Sequence, residues 1–128
     1  MPTFPVVTGD IVTSTIWNGL PAFEVASDKT NDYTAASGDQ YQQIIPMNKA
    51  TAIAFKIPTD ATFNFPVGTV ITLLNKGAGL VTISAVTSGT TTVLSAGAVP
   101  ASPTLAQYKA ATCIKTAANI WYVVGAIA

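Results

Sequence analysis

Side chains able to carry a proton or form a covalent bond are scarce in this chain. There are six acids (Asp10, Glu24, Asp28, Asp32, Asp39 and Asp60), six lysines and one cysteine, Cys113, with neither histidine nor arginine. Two facing carboxylates would suffice for glycoside hydrolysis. Five of the acids precede Tyr41, in segments of arm or loop character, and only Asp60 falls among the expected strands. Each is read as a solvated carboxylate. The segments SDKTND (27–32) and SGDQ (37–40) offer oxygens to calcium, but neither has the regular ligand spacing of a calcium loop.

Cys113 has Lys109 and Lys115 nearby in sequence. A reactive thiolate needs a histidine or a strong cationic neighbour, so Cys113 is read as a small apolar residue in a strand. The glycine-rich KGAG (76–79) lacks both the fuller pattern of a phosphate-binding loop and the helix that must follow it. It is expected to close a hairpin, with glycine supplying positive φ. No catalytic residue, metal ligand or cofactor is assigned.

Composition narrows the remaining classes. Apolar residues make up 49% of the 128 positions and charged residues only 9%, against about 25% charged in an average domain. Formal net charge is zero. Without arginine there is no bidentate fork for phosphate, and scattered lysines form no basic stripe, so a nucleic-acid partner is not expected. A lone cysteine makes the fold independent of oxidation. The N-terminal MPTFPVVTGD lacks a cationic, then apolar, signal pattern, and the closing IWYVVGAIA falls well short of the roughly 20 residues that span a bilayer. No membrane association is expected, and the protein is expected to be made in the cytoplasm and stay soluble. A mean hydropathy of +0.45 implies apolar surface covered by further subunits.

The elements that carry these residues divide the chain in two. Residues 1–31 have apolar side chains without a clean period and prolines at positions 2, 5 and 21. They read as an extended N-terminal arm holding at most a short helix over TSTIWNGL (13–20). Residues 32–128 read as an all-β domain, an antiparallel β-sandwich or barrel of about seven short strands. In TAIAFKIP, Ile53, Phe55 and Ile57 alternate with Ala52, Ala54 and Lys56, which puts the three larger residues on one buried face. TVITLLN and LVTISAV flank KGAG, TTTVLS is a further strand, and QYKAATCIKT with NIWYVVGAI form a final pair around Ala117 and Ala118. Thr, Ser, Asn and Gln supply the polar faces, and Thr suits both a strand and an interface that buries no charge.

Among the aromatics, Trp121 and Tyr122 are adjacent in a strand and face opposite ways. One is expected in the core and the other at an interface or a ligand, with core plus interface favoured. Trp17 lies in the arm, where an aromatic anchor docks on a partner. The arm residues Phe4, Val6, Ile11, Trp17 and Phe23 are therefore the candidate assembly contacts.

The landmarks Asp32-Tyr33-Thr34, Ile57-Pro58, Phe65-Pro66-Val67-Gly68-Thr69, Gly77-Ala78-Gly79 with Val81-Thr82-Ile83, Tyr108 before Ala111-Thr112, and Trp121 to Gly125 together resemble a β-rich module of tailed-bacteriophage virion proteins. IVTSTIWNGL is similar to arm-proximal segments of such proteins. The resemblance covers about three-quarters of the chain, from near Asp32, and carries no catalytic residue. It implies a structural virion component of head fibres, tail fibres or capsid decorations. One arm plus one module suits a capsid decoration (cement) protein, a homotrimer on the major capsid protein at the capsid surface, present in the host cytoplasm during assembly. The alternative is a tail-associated fibre or receptor-binding (adhesin) module, and an enzyme such as a depolymerase fragment is the least favoured.

Overall fold

The fold was obtained as a computed structural model and is described for residues 24–41, 43–95 and 101–127. The candidate contacts Phe4, Val6, Ile11, Trp17 and Phe23, and the short helix expected over 13–20, lie outside these residues.

The described residues form ten strands: β1 (Glu24–Val25), β2 (Tyr33–Thr34), β3 (Gln43–Met47), β4 (Ile53–Ile57), β5 (Val70–Asn75), β6 (Val81–Ala85), β7 (Thr92–Leu94), β8 (Thr104–Leu105), β9 (Ala110–Ala117) and β10 (Ile120–Gly125). A single 3₁₀ turn, Ser37–Gln40, is the only helical element among them. The domain is β-rich, as its composition implies. Its strands lie in two sheets, ordered β1-β3-β5-β9-β10-β7 and β2-β4-β6-β8.

The pairing departs from the antiparallel expectation, because both sheets are mixed. β1–β3, β3–β5, β2–β4, β4–β6 and β7–β10 run parallel, and only β5–β9, β9–β10 and β6–β8 run antiparallel. Successive strands from β1 to β6 alternate between the sheets, so the chain winds as a flattened coil. Each coil lays one strand in each sheet and the next coil stacks in parallel upon it. Ile44 pairs with Thr72 and Ile53 with Val81, both 28 positions apart. One register thus runs through both sheets of the second and third coils.

The expected KGAG hairpin does not form, since β5 and β6 belong to different sheets. Residues 76–80 instead arch from one sheet to the other and lie on the equivalent arch, 48–52. The two backbones are directly bonded: Lys76 N–H donates to Met47 O at 2.8 Å, Gly79 N–H to Lys49 O at 2.9 Å, and Ile53 N–H to Leu80 O at 3.0 Å. Neither Gly77 nor Gly79 has positive φ. Glycine is required for a different reason. A Cβ on Gly77 would collide with the backbone of Lys49, and one on Gly79 with the carbonyl of Thr51.

Two buried faces meet between the sheets. Ile45, Ile71 and Leu73 of the larger sheet and Ile53, Phe55, Ile57, Val81 and Ile83 of the smaller one form one hydrophobic cluster. The alternation of Ile53, Phe55 and Ile57 is borne out, with all three buried. Full burial of such a side chain contributes about 1.5–3 kcal/mol. Trp121 is fully buried, with Phe65 packed edge-on at 5.5 Å, whereas its neighbour Tyr122 is exposed. Cys113 is buried in β9, and desolvation pushes its thiol up to about 12, as expected of an inert packed thiol.

Candidate functional site

Two places combine unusual chemistry with a fixed backbone: the outer face of the larger sheet and a buried lysine beneath the loop that joins β4 to β5.

The outer face follows from period two. Trp121 and Val123 point into the core, so Tyr122 and Val124 point away from it. Register then sets Val70, Ile114 and Tyr122 side by side across β5, β9 and β10, with Thr72, Thr112 and Val124 in the next row. The Thr72 and Thr112 hydroxyls lie 3.5 Å apart. None of these side chains is charged, and Tyr122 and Val124 remain 45% and 49% exposed. Adjacent exposed apolar side chains with threonine between them suit a contact that buries no charge.

The buried lysine is Lys115 of β9. A lysine only 1% exposed needs all three donors satisfied. Its Nζ donates to Asp60 Oδ1 at 2.7 Å, Asn64 Oδ1 at 2.8 Å and Phe65 O at 2.7 Å. Asp60 is oriented in turn by the β9–β10 turn. Its Oδ2 accepts from Asn119 N–H at 3.0 Å, while Asp60 N–H donates to Asn119 Oδ1 at 2.9 Å. Thr91 Oγ1 donates to the same Asn119 oxygen at 3.3 Å. Asn119 tolerates its φ of 53° as asparagine commonly does. The reading of Asp60 as a solvated loop carboxylate is therefore corrected: it is the counter-ion of a buried lysine. Lys115 is likewise committed to these oxygens.

Three of the other acids, Asp28, Asp32 and Asp39, are also engaged. The solvated reading of Asp39 is corrected by its burial, and Asp10 lies outside the described residues. Asp28 accepts from Lys76 Nζ at 2.9 Å and from Asn48 Nδ2 at 3.0 Å. These bonds, Lys76 foremost, hold its carboxyl below the usual range. Asp39 is buried, accepting Tyr33 O–H at 2.7 Å and Ala36 N–H at 2.8 Å. Burial, then the bond to Asp39, pushes the Tyr33 phenol well above its ordinary value. Asp32 Oδ1 accepts Ala54 N–H at 2.9 Å, and Glu24 is exposed in β1. Among the described residues, no three Asp, Glu, Cys or His side chains gather in a metal-binding group. Asp28 and Asp39, the central acids of the two calcium-like segments, serve separate contacts.

Sequence reasoning did not find the Lys115 network. Asp60 and Lys115 are 55 residues apart, and the only local signal was a lysine at an inward position of an alternating strand. Comparison with models of protein families, with curated proteins and with solved structures gives no match for this chain.

Proposed function

We propose that the protein is a structural component of a tailed-bacteriophage virion, a capsid decoration (cement) protein that binds and stabilises the head shell as a homo-oligomer, with a trimer favoured. The observation that carries this reading is the uncharged outer face of the larger sheet, where Tyr122 and Val124 stand exposed beside Thr112 and Ile114. Permanent assemblies use interfaces resembling a divided core, and a chain with zero net charge has little to keep copies apart. The phage resemblance supplies the particle and the trimer. In this reading the two sheets form a β-sandwich, its outer face meets other subunits, and Phe4, Val6, Ile11, Trp17 and Phe23 of the arm grip the major capsid protein.

Antibody labelling of intact particles tests the location. Label distributed over the head supports the proposal, and particles free of label sink it. Removing residues 1–23, ahead of the first described strand, tests the arm: a truncated protein that still folds should fail to occupy shells.

A tail-associated adhesin is the second reading, favoured by Tyr108. This side chain is 80% exposed on a backbone with φ of 64°, anchored by Tyr108 N–H to Asn75 O at 2.7 Å. A fixed, exposed aromatic in a sterically costly conformation suits ligand contact. Label confined to the tail would favour it.

A further inference from the structure

The surroundings of Lys115 contain more than an ion pair needs. A primary amine, a carboxamide and a carboxylate converge on one point, with Nζ 2.8 Å from Asn64 Oδ1 and 2.7 Å from Asp60 Oδ1. With a C=O bond of about 1.23 Å, the Asn64 Cγ lies no farther than about 4 Å from Nζ, close to the separation of groups poised to react. We propose that Lys115 and Asn64 join in an intramolecular isopeptide bond, with Asp60 as the proton carrier.

The chemistry balances without a further reagent. Asp60 takes a proton from the Lys115 ammonium across their short contact, leaving an amine with a free electron pair. Rotation about Cε–Nζ turns that pair toward Asn64, and the Nζ–Cγ bond forms as the carbonyl electrons move onto oxygen. Asp60 relays a proton from the attacking nitrogen to the amide nitrogen. The Cγ–Nδ2 bond then breaks, and ammonia leaves with the remaining proton as ammonium. Asp60 ends as a carboxylate, and no group is oxidised or reduced.

Three features favour this outcome. Asp60 is clamped by Asn119 from both its carboxylate and its backbone, so the proton carrier is positioned before the reaction. Phe65 holds the amine in place, its carbonyl accepting from Lys115 Nζ at 2.7 Å while its ring packs on Trp121. Asn64 itself is exposed, giving ammonia an exit. Asp60 is the poorer acceptor, because an ionised carboxylate resists nucleophilic attack.

Mass spectrometry of the purified full chain, held in its native state and then denatured and digested, tests the bond. The expected result is a branched peptide linking Asn64 to Lys115, lighter than its two parts by one ammonia. Asn64→Ala keeps the Lys115–Asp60 pair and should yield only unlinked peptides. Asn64→Asp puts a carboxylate, which resists attack, in place of the carboxamide and should yield only unlinked peptides. Asp60→Ala should abolish linkage; should this variant not fold, Asn64→Ala still decides. Unlinked Asn64 and Lys115 peptides from native wild-type protein would overturn the proposal and leave a purely ionic network. A bond from Lys115 to Asp60, with loss of water, would overturn it equally.

Discussion

The two ends of the paired sheets solve the same problem in different ways. At one end, connections 48–52 and 76–80 are five residues each and stack backbone on backbone. Among the described residues their one ion pair, Lys76–Asp28, is solvent-exposed, with side chains 46% and 34% accessible. At the other end, twelve residues join β4 to β5, too many to stack as a simple arch. There a buried ion pair, Lys115–Asp60, holds the connection. Short connections are ordered by main-chain bonds and need small residues. A long one needs a side-chain hub, because its backbone groups do not line up with a neighbouring coil.

The contrast is broken most severely at the buried end. Asp60→Ala leaves the Lys115 ammonium enclosed without its counter-ion, and a cost of about 3–5 kcal/mol is expected in denaturant unfolding. Lys115→Met should cost less, since Asp60 retains 16% side-chain exposure and can draw on water. Equal losses in the two variants would mean that the lysine is not the enclosed partner.

At the stacked end the largest effect should come from Gly79→Ala. The added methyl meets the Thr51 carbonyl, and parting two bonded arches is expected to cost about 3 kcal/mol. Gly38→Ala, where the new Cβ meets nothing, is the control and should leave the unfolding midpoint nearly unchanged.

Asn75 sharpens the comparison, as the side chain that ties the 76–80 arch to β8. Its Nδ2 donates to Gly79 O and Leu105 O, both at 2.8 Å, and its Oδ1 accepts Gly77 N–H at 3.0 Å. Asn75→Leu strips partners from buried backbone groups, with an expected loss of about 2 kcal/mol. Hydrogen exchange should accelerate first at Gly77.

The smallest effect is expected at the exposed pair. Asp28 has a depressed folded-state pKa, so its contribution is present above the ordinary carboxylate value of about 3.9. That contribution is lost as pH falls through the lower folded value. Lys76→Ala should therefore lower stability slightly at neutral pH, leave it unchanged below the folded value, and so flatten the acid limb. High salt should mimic it in the wild type, because exposed pairs are screened. A large loss at neutral pH would show the stacked end to depend on charge after all.

How far this contrast was legible in the sequence differs between the two ends. The KGAG glycines were visible, but a turn and a close approach of two backbones use the same residue, and only the neighbouring coil distinguishes them. β3 escaped notice because Pro46 interrupts it. Lys29 N–H donates to the Pro46 carbonyl, and a residue's N–H and C=O point to the same side of a strand. The missing N–H therefore faces the first coil, beyond the end of two-residue β1, and the β5 side is unaffected. The Lys115 network was illegible for want of any local pattern linking residues 60, 64, 115 and 119.

The sequence by itself determined that this chain is built from strands, which face of β4 is buried, and that β9 and β10 meet as a hairpin near Ala117 and Ala118. Each of these depends on period two or on a short turn, information held within a few neighbouring residues. Tertiary structure alone decided that β5 crosses to the other sheet, that most pairings are parallel, and that Asp60 is the partner of a buried lysine. Alternation states which side of a strand faces the core, whereas its edges are bare N–H and C=O groups common to every residue except proline. The choice of neighbouring strand is therefore made by the packing of whole coils.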